Sequence, residues 1–186
     1  MTVVYQNIHK ELIELSKVGN SKSQYQLYQL YAKAMFNICR RMMNNQEEAE
    51  DLLQESFSEA FNKLKTFKYE SSFGAWLKRI VVNKCINSIK HKKAELELFE
   101  NMQSIETEHE EDKDFNNVEL NVYNVHKAIE KLPDGYRIVL SLYLLEGYDH
   151  NEISQILGIT EATSKSQYLR AKRKLKDILK NRNHER

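Results

Sequence analysis

Lys165, Ser166, Leu169, Arg170 and Arg173 recur at helical spacing in "ISQILGITEATSKSQYLRAKRKLKDIL". Side chains of these types hydrogen-bond base edges in a major groove and meet phosphates, and a leucine among them can touch thymine methyl groups. At about 100° per residue the five share one side of a helix, with Thr163 on the flank near its start. Ser164, Tyr168, Ala171, Leu175, Ile178 and Leu179 share the other side. An incidentally exposed leucine is the competing reading of Leu169. The basic run from Lys172 to Lys180 suits phosphate contact and salt-dependent affinity better than sequence reading.

A second set lies in "TFKYESSFGAWLKRIVVNKCINSIKHKK". Phe67, Lys68, Tyr69, Ser71 and Ser72 precede a helical pattern carrying Trp76, Arg79, Asn83, Asn87 and Lys90. Rings interleaved with cations and amides suit single-stranded DNA, whose unstacked bases lie against aromatic faces while Lys and Arg meet phosphates. Phe73 reads as core, and Trp76 is open to core packing or base stacking. A third set, Asp51, Gln54 and Glu55 with Ser58 and Asn62, forms the polar face of a helix. Such a face is either plain solvated surface or a docking surface.

Catalysis finds no comparable arrangement. The acids of 94–119 lack convergent spacing, His91, His109, His126 and His150 are scattered, and Cys39 and Cys85 sit outside any CxxC or Cys/His ligand pattern. We expect no enzyme, no cofactor and no metal, and two buried free thiols in a reducing cytosol. No run nears the roughly 18 apolar residues of a membrane span. "MTVVYQNIHKELIEL" lacks the basic-then-apolar order of a signal peptide. The expected location is the cytoplasm, without membrane insertion.

The elements that must position these residues are helical. One proline, five glycines and 30% charged residues accompany long 3.6-residue periodicities. Apolar stripes run through Leu27, Leu30, Tyr31, Ala34, Met35, Ile38, Cys39 and Met42, then, after Asn44-Asn45, through Ala49, Leu52, Leu53, Phe57, Ala60, Phe61 and Leu64. A third stripe has Phe73, Leu77, Ile80, Val81, Ile86 and Ile89. Four more helices follow. The first ends before the Pro133-Asp134-Gly135 turn signal, and the second runs from about Tyr136 to Leu145. Asp149 and Glu152 form a capping-box pattern for the third, Gly158 turns the chain, and Thr160 caps the fourth. The last two have the spacing of a helix-turn-helix.

The net charge of +1 conceals segregation. Residues 61–93 carry nine basic side chains and one acid, 94–119 ten acids and one lysine, and 161–186 nine basic side chains and three acids. Two basic modules flank an acidic segment that cannot bury enough apolar surface to fold alone. It reads as a solvated spacer or as a mimic of nucleic acid in a partner's basic channel. The expected architecture is all-α: two small helical domains, 1–93 and 119–186, joined by a flexible acidic linker, 94–118.

From about Tyr25 to Leu179, the linker aside, the chain resembles the bacterial extracytoplasmic-function (ECF) sigma factors of RNA polymerase. "AEDLLQESF" is similar to their region 2.2, which docks on the β′ clamp helices, and the resemblance gives that role to Asp51, Gln54 and Glu55. "FGAWLKRIVVNKCINSIK" resembles regions 2.3 and 2.4, which melt and read the −10 element. The resemblance makes 67–72 the loop that captures a flipped base, with Trp76, Arg79 and Asn83 behind it. "LPDGYRIVLSLYLLEGYDHNEISQILGITEATSKSQYLRAKRKL" resembles region 4, which reads the −35 element and touches the β flap. The implied partners are core RNA polymerase, promoter DNA in duplex and melted form, and an anti-sigma protein. This chain has Asn87, Lys90, Ser164, Gln167 and Tyr168 where many members carry Asp, Arg, an apolar residue, Arg and Leu. A stand-alone helix-turn-helix regulator is the alternative function. It would need neither the basic–aromatic helix nor the Asp51, Gln54 and Glu55 face.

Overall fold

The computed structural model describes residues 9–99 and 122–184. Every regular element among them is helical. They are α1 (Lys10–Lys17), α2 (Ser21–Met43), α3 (Gln46–Lys63), α4 (Phe73–Phe99), α5 (Val122–Glu130), α6 (Asp134–Leu140), α7 (His150–Leu157) and α8 (Glu161–His184). A 3-10 turn, Leu64–Thr66, follows α3, and a π turn, Ser141–Leu145, prolongs α6. The chain folds as two compact units, Met1–Ser88 and Ile89–Arg186.

In the first unit, short polar punctuation separates the helices. Asn20 caps α2 by accepting from the Ser23 N–H at 3.0 Å. The two asparagines of the next break have separate tasks. Asn44 ends α2 in the left-handed region at φ 56°, and Asn45 caps α3 by accepting from Glu48 N–H. Ser72 begins α4, its hydroxyl accepting from Ala75 N–H at 3.2 Å. The core gathers Leu27, Ile38, Cys39, Met42, Phe57, Leu64, Leu77, Val81 and Cys85, all at most 3% exposed. Cys39 and Cys85 are free and buried, and their thiols hydrogen-bond each other across α2 and α4. That bond, together with burial, pushes the Cys85 thiol far above its ordinary value.

The apolar stripe of α2 is narrower than expected, because Leu30 is 52% exposed and Ala34 lies on the surface. At about 100° per residue Leu30 falls roughly 120° away from Met42, off the buried face. In α4 the buried face is wider, taking in Val82 and Cys85. That helix also continues through Phe99, over the first six residues expected in the linker. The remainder of the acidic segment, 100–118, lies outside the described residues.

The second unit has its own core of Ile129, Leu132, Leu140 and Ala171, with Val125, Tyr136, Tyr168, Leu175 and Ile178 packed against it. Here Pro133-Asp134-Gly135 opens a helix rather than forming a free turn. Pro133 is the N-cap of α6, and Arg137 N–H donates to its carbonyl at 2.9 Å. The buried Arg137 guanidinium then ties Asp134 (2.7 Å) and the Leu132 carbonyl (3.2 Å) to this start. Asp149 and Glu152 form the full capping box of α7. Gly158 at φ 71° ends α7 in the left-handed region, and Thr160 Oγ1 accepts from Thr163 N–H to start α8.

Candidate nucleic-acid and polymerase interfaces

On α3 the side chains of Leu52, Leu53, Ser56 and Phe57 face the core, while Asp51, Gln54, Glu55 and Ser58 are exposed. An open groove of about 710 Å³ runs beside this face, lined by Gln54, Glu55, Ser58 and Asn62 together with Lys84 of α4. Lys84 Nζ lies 3.3 Å from both Glu55 Oε2 and Glu59 Oε2, and Lys63 Nζ lies 2.6 Å from Glu59 Oε1. The hydrogen bond from Lys63, then that from Lys84, holds the Glu59 carboxyl below its usual range. Glu59 in turn raises Lys84, so both partners report the same ionised pair. Glu55, the most exposed of these acids at 60%, keeps its outer side open.

The loop from 67 to 72 is built on aromatic rings. Phe67 is only 4% exposed, with its centroid 5.3 Å from Trp76, 5.8 Å from Phe73 and 4.7 Å from Tyr69. This corrects the expectation that Phe67 faces DNA: its ring is the floor of the loop, because three other rings leave it no open face of comparable area. Lys68 is exposed, while Tyr69, Ser71 and Ser72 are half-buried. The Ser72 hydroxyl serves as the α4 cap. Trp76 is half-buried, its ring packing on Phe67 and Phe73 with centroids 5.3 and 5.7 Å apart. Beyond it Arg79, Asn83, Asn87 and Lys90 are all exposed, at steps of four, four and three residues along α4. Lys90 stands just past the division between the two units.

Three side chains of α1 that residue type and spacing do not single out also belong to this loop. The Tyr69 hydroxyl donates to Glu14, Lys17 Nζ sits 4.4 Å from the Tyr69 ring centre, and Lys10 Nζ lies 5.8 Å from it. The one signal for them is the spacing of Leu12, Ile13 and Ser16, which gives an eight-residue helix a buried side.

On α8 the expected division of faces is visible side chain by side chain. Ser164 and Ala171 are fully buried, and Tyr168 and Leu175 half-buried. Lys165, Ser166, Leu169, Arg170 and Arg173 are exposed, Leu169 at 54%. Thr163 is half-buried, its hydroxyl 2.8 Å from Thr160 Oγ1, which makes it part of the cap. Lys165 pairs with Glu161 at 2.6 Å, and Ser166 Oγ donates back to the Ala162 and Thr163 carbonyls. Opposite, His150 of α7 lies 2.9 Å from Ser164 Oγ and stacks on Tyr143 at 4.4 Å. Tyr168 closes this cluster, its phenol pushed up by burial and then by Tyr143. No group of three side chains able to hold a metal occurs among the described residues. No helix among them is long and apolar enough to cross a membrane.

These surfaces coincide with two family matches. Sigma-70 region 2 matches residues 27–95, and Sigma-70 region 4 matches residues 123–175. The chain is 30% identical over 183 residues to the ECF RNA polymerase sigma factor SigW of Bacillus subtilis, covering 92% of this chain and 96% of the relative. It is 28% identical over 153 residues to SigM of the same organism, covering 82% and 93%. Among solved structures, the sigma factor RpoE of Bartonella quintana, in complex with the anti-sigma factor NepR, has a similar fold. There the TM-score is 0.55 at 24% identity over 84% of this chain and 96% of that one. CnrH in complex with the cytosolic domain of CnrY gives a TM-score of 0.54 at 24% identity, covering 93% and 97%. With both regions matched in order along one helical chain, the protein belongs to the ECF RNA polymerase sigma factors, the alternative sigma subunits that direct promoter-specific transcription initiation.

Proposed function

We propose that the two units divide promoter recognition between them, with Asp51, Gln54 and Glu55 docking on the β′ clamp helices of core polymerase. Lys68, Tyr69, Ser71, Ser72, Trp76, Arg79, Asn83, Asn87 and Lys90 form the −10 surface, with Phe67 beneath it as support. Thr163, Lys165, Ser166, Leu169, Arg170 and Arg173 form the −35 surface. The observation that carries this reading is α8: a capped helix that buries Ser164 and Ala171 and exposes Leu169 among cations. A large apolar side chain on that side has a use against a thymine methyl group that bulk water does not provide.

Sigma factors are initiation factors rather than catalysts, so the work assigned here is recruitment, capture of a flipped base and stabilisation of the bubble. The cytoplasm, where polymerase acts, is the location this role requires. Region 4 also gives the β flap a contact, and the family resemblance adds an anti-sigma protein as a further partner. For the domain limits we keep 1–93, 94–118 and 119–186.

Run-off transcription with core polymerase across a genomic fragment library tests the whole reading, with promoter-dependent transcripts expected. Tight binding to duplex promoter without core enzyme would instead identify a stand-alone regulator. Asp51→Lys and Glu55→Lys should each abolish capture of core polymerase while leaving the helical circular dichroism intact, since both side chains lie off the buried face of α3. Capture that survives both changes would remove the docking assignment.

A further inference from the structure

Tyr69 occupies a backbone conformation that needs holding. At φ 62° it is one of two non-glycine residues with positive φ among those described, and the other, Asn44, is of a type that tolerates the left-handed region. A tyrosine there persists when its surroundings determine it. Helix α1 provides those surroundings. The phenol donates to Glu14, and Lys17 Nζ reaches both Glu14 Oε1, at 2.9 Å, and the Tyr69 ring, at 4.4 Å. Phe67 supports the same ring from the core, and α1 packs against the 3-10 turn that leads into the loop. The bond to Tyr69, then that to Lys17, holds the Glu14 carboxyl below its usual range.

An unpaired carboxylate beside a strand-capture loop would repel incoming phosphates. Here the Glu14 carboxylate is paired, with Lys17 Nζ at 2.9 Å and the Tyr69 hydroxyl donating to it. The geometry points to Glu14 as a positioning residue for the −10 surface: through the Tyr69 hydroxyl it sets where the loop presents its ring to the melted strand. This rests on the assignment of residues 67–72 as the capture loop.

The test is a double-mutant cycle in promoter opening, read by a fluorescent base analogue in the non-template −10 strand, with full-length protein and core polymerase. Glu14→Leu and Tyr69→Phe should each slow opening about threefold or more, as expected for loss of one charge-assisted hydrogen bond. The double variant should be no slower than either single one, because both remove the same bond. Glu14→Gln, which keeps an acceptor oxygen, should recover part of the loss. Core polymerase capture should not move.

Faster opening by Glu14→Leu would show simple repulsion of DNA and overturn the proposal, as would multiplicative losses in the double variant. A Tyr69→Ala control separates the two levels. If Tyr69→Ala opens promoters normally, the loop assignment fails and the inference with it. If it is defective while Glu14→Leu is not, only the positioning role is lost.

Discussion

Ser164 is a polar residue with no exposed surface, and its hydroxyl is matched to one partner, His150 Nδ1 at 2.9 Å. The imidazole is held at 16° to the Tyr143 ring, so it has little freedom to find another. Ser164→Ala should therefore lower stability by about 1 kcal/mol, measured as a fall in the chemical-denaturation midpoint. An unchanged midpoint would mean that water takes over the bond. A carboxylate offers a pH-dependent counterpart. Because Lys63 and Lys84 depress Glu59, its contribution is complete above the ordinary glutamate value, about 4.3, and is lost as pH falls through the lowered one. Wild type and Glu59→Gln should accordingly differ in stability at neutral pH and converge under acid titration. A gap that persists after the carboxyl is protonated would assign the effect to packing.

Elements are decided by their ends as much as by their stripes. The capping box of α7 has both of its bonds, Glu152 N–H to Asp149 at 2.8 Å and Asp149 N–H to Glu152 at 2.9 Å. Asp149→Ala should cost about 1 kcal/mol and loosen the helix-turn-helix, seen as faster amide exchange at the start of α7. Unaltered exchange there would show that packing alone holds the helix. This end is legible in the sequence because the box is a local pattern of two residues three apart. The start of α6 is not. Pro-Asp-Gly signals a turn and a helix start alike, and the choice rests on the Arg137 side chain folding back to Asp134 and the Leu132 carbonyl. Likewise the run of α4 through Phe99 has no apolar stripe to announce it.

At the scale of the whole molecule, the order of α2 to α8 and the exposed faces of α3 and α8 follow from periodicity, which reports burial directly, whereas α1, at Lys10–Lys17, is too short to announce itself that way. What periodicity does not carry is partnership between distant segments. It does not pair Cys39 with Cys85, join Lys84 to the acids of α3, or place Glu14 against Tyr69, fifty-five residues away. Nor does residue type alone separate Phe67, an aromatic floor, from Tyr69, an aromatic at the surface. The buried cluster of Ile129, Leu132, Leu140 and Ala171, with the side chains packed against it, is drawn wholly from residues between Val125 and Ile178. Ile153, with no exposed surface, belongs to the second unit. Ile153→Ala should cost about 2–5 kcal/mol, the range for removing a buried aliphatic side chain. If each unit stands on its own core, that loss falls on −35 recognition. The variant should still capture core polymerase through α3 and open a pre-melted −10 template, yet fail on promoters that depend on their −35 element. Loss of core capture in parallel with −35 binding would show instead that the two units fold as one cooperative structure.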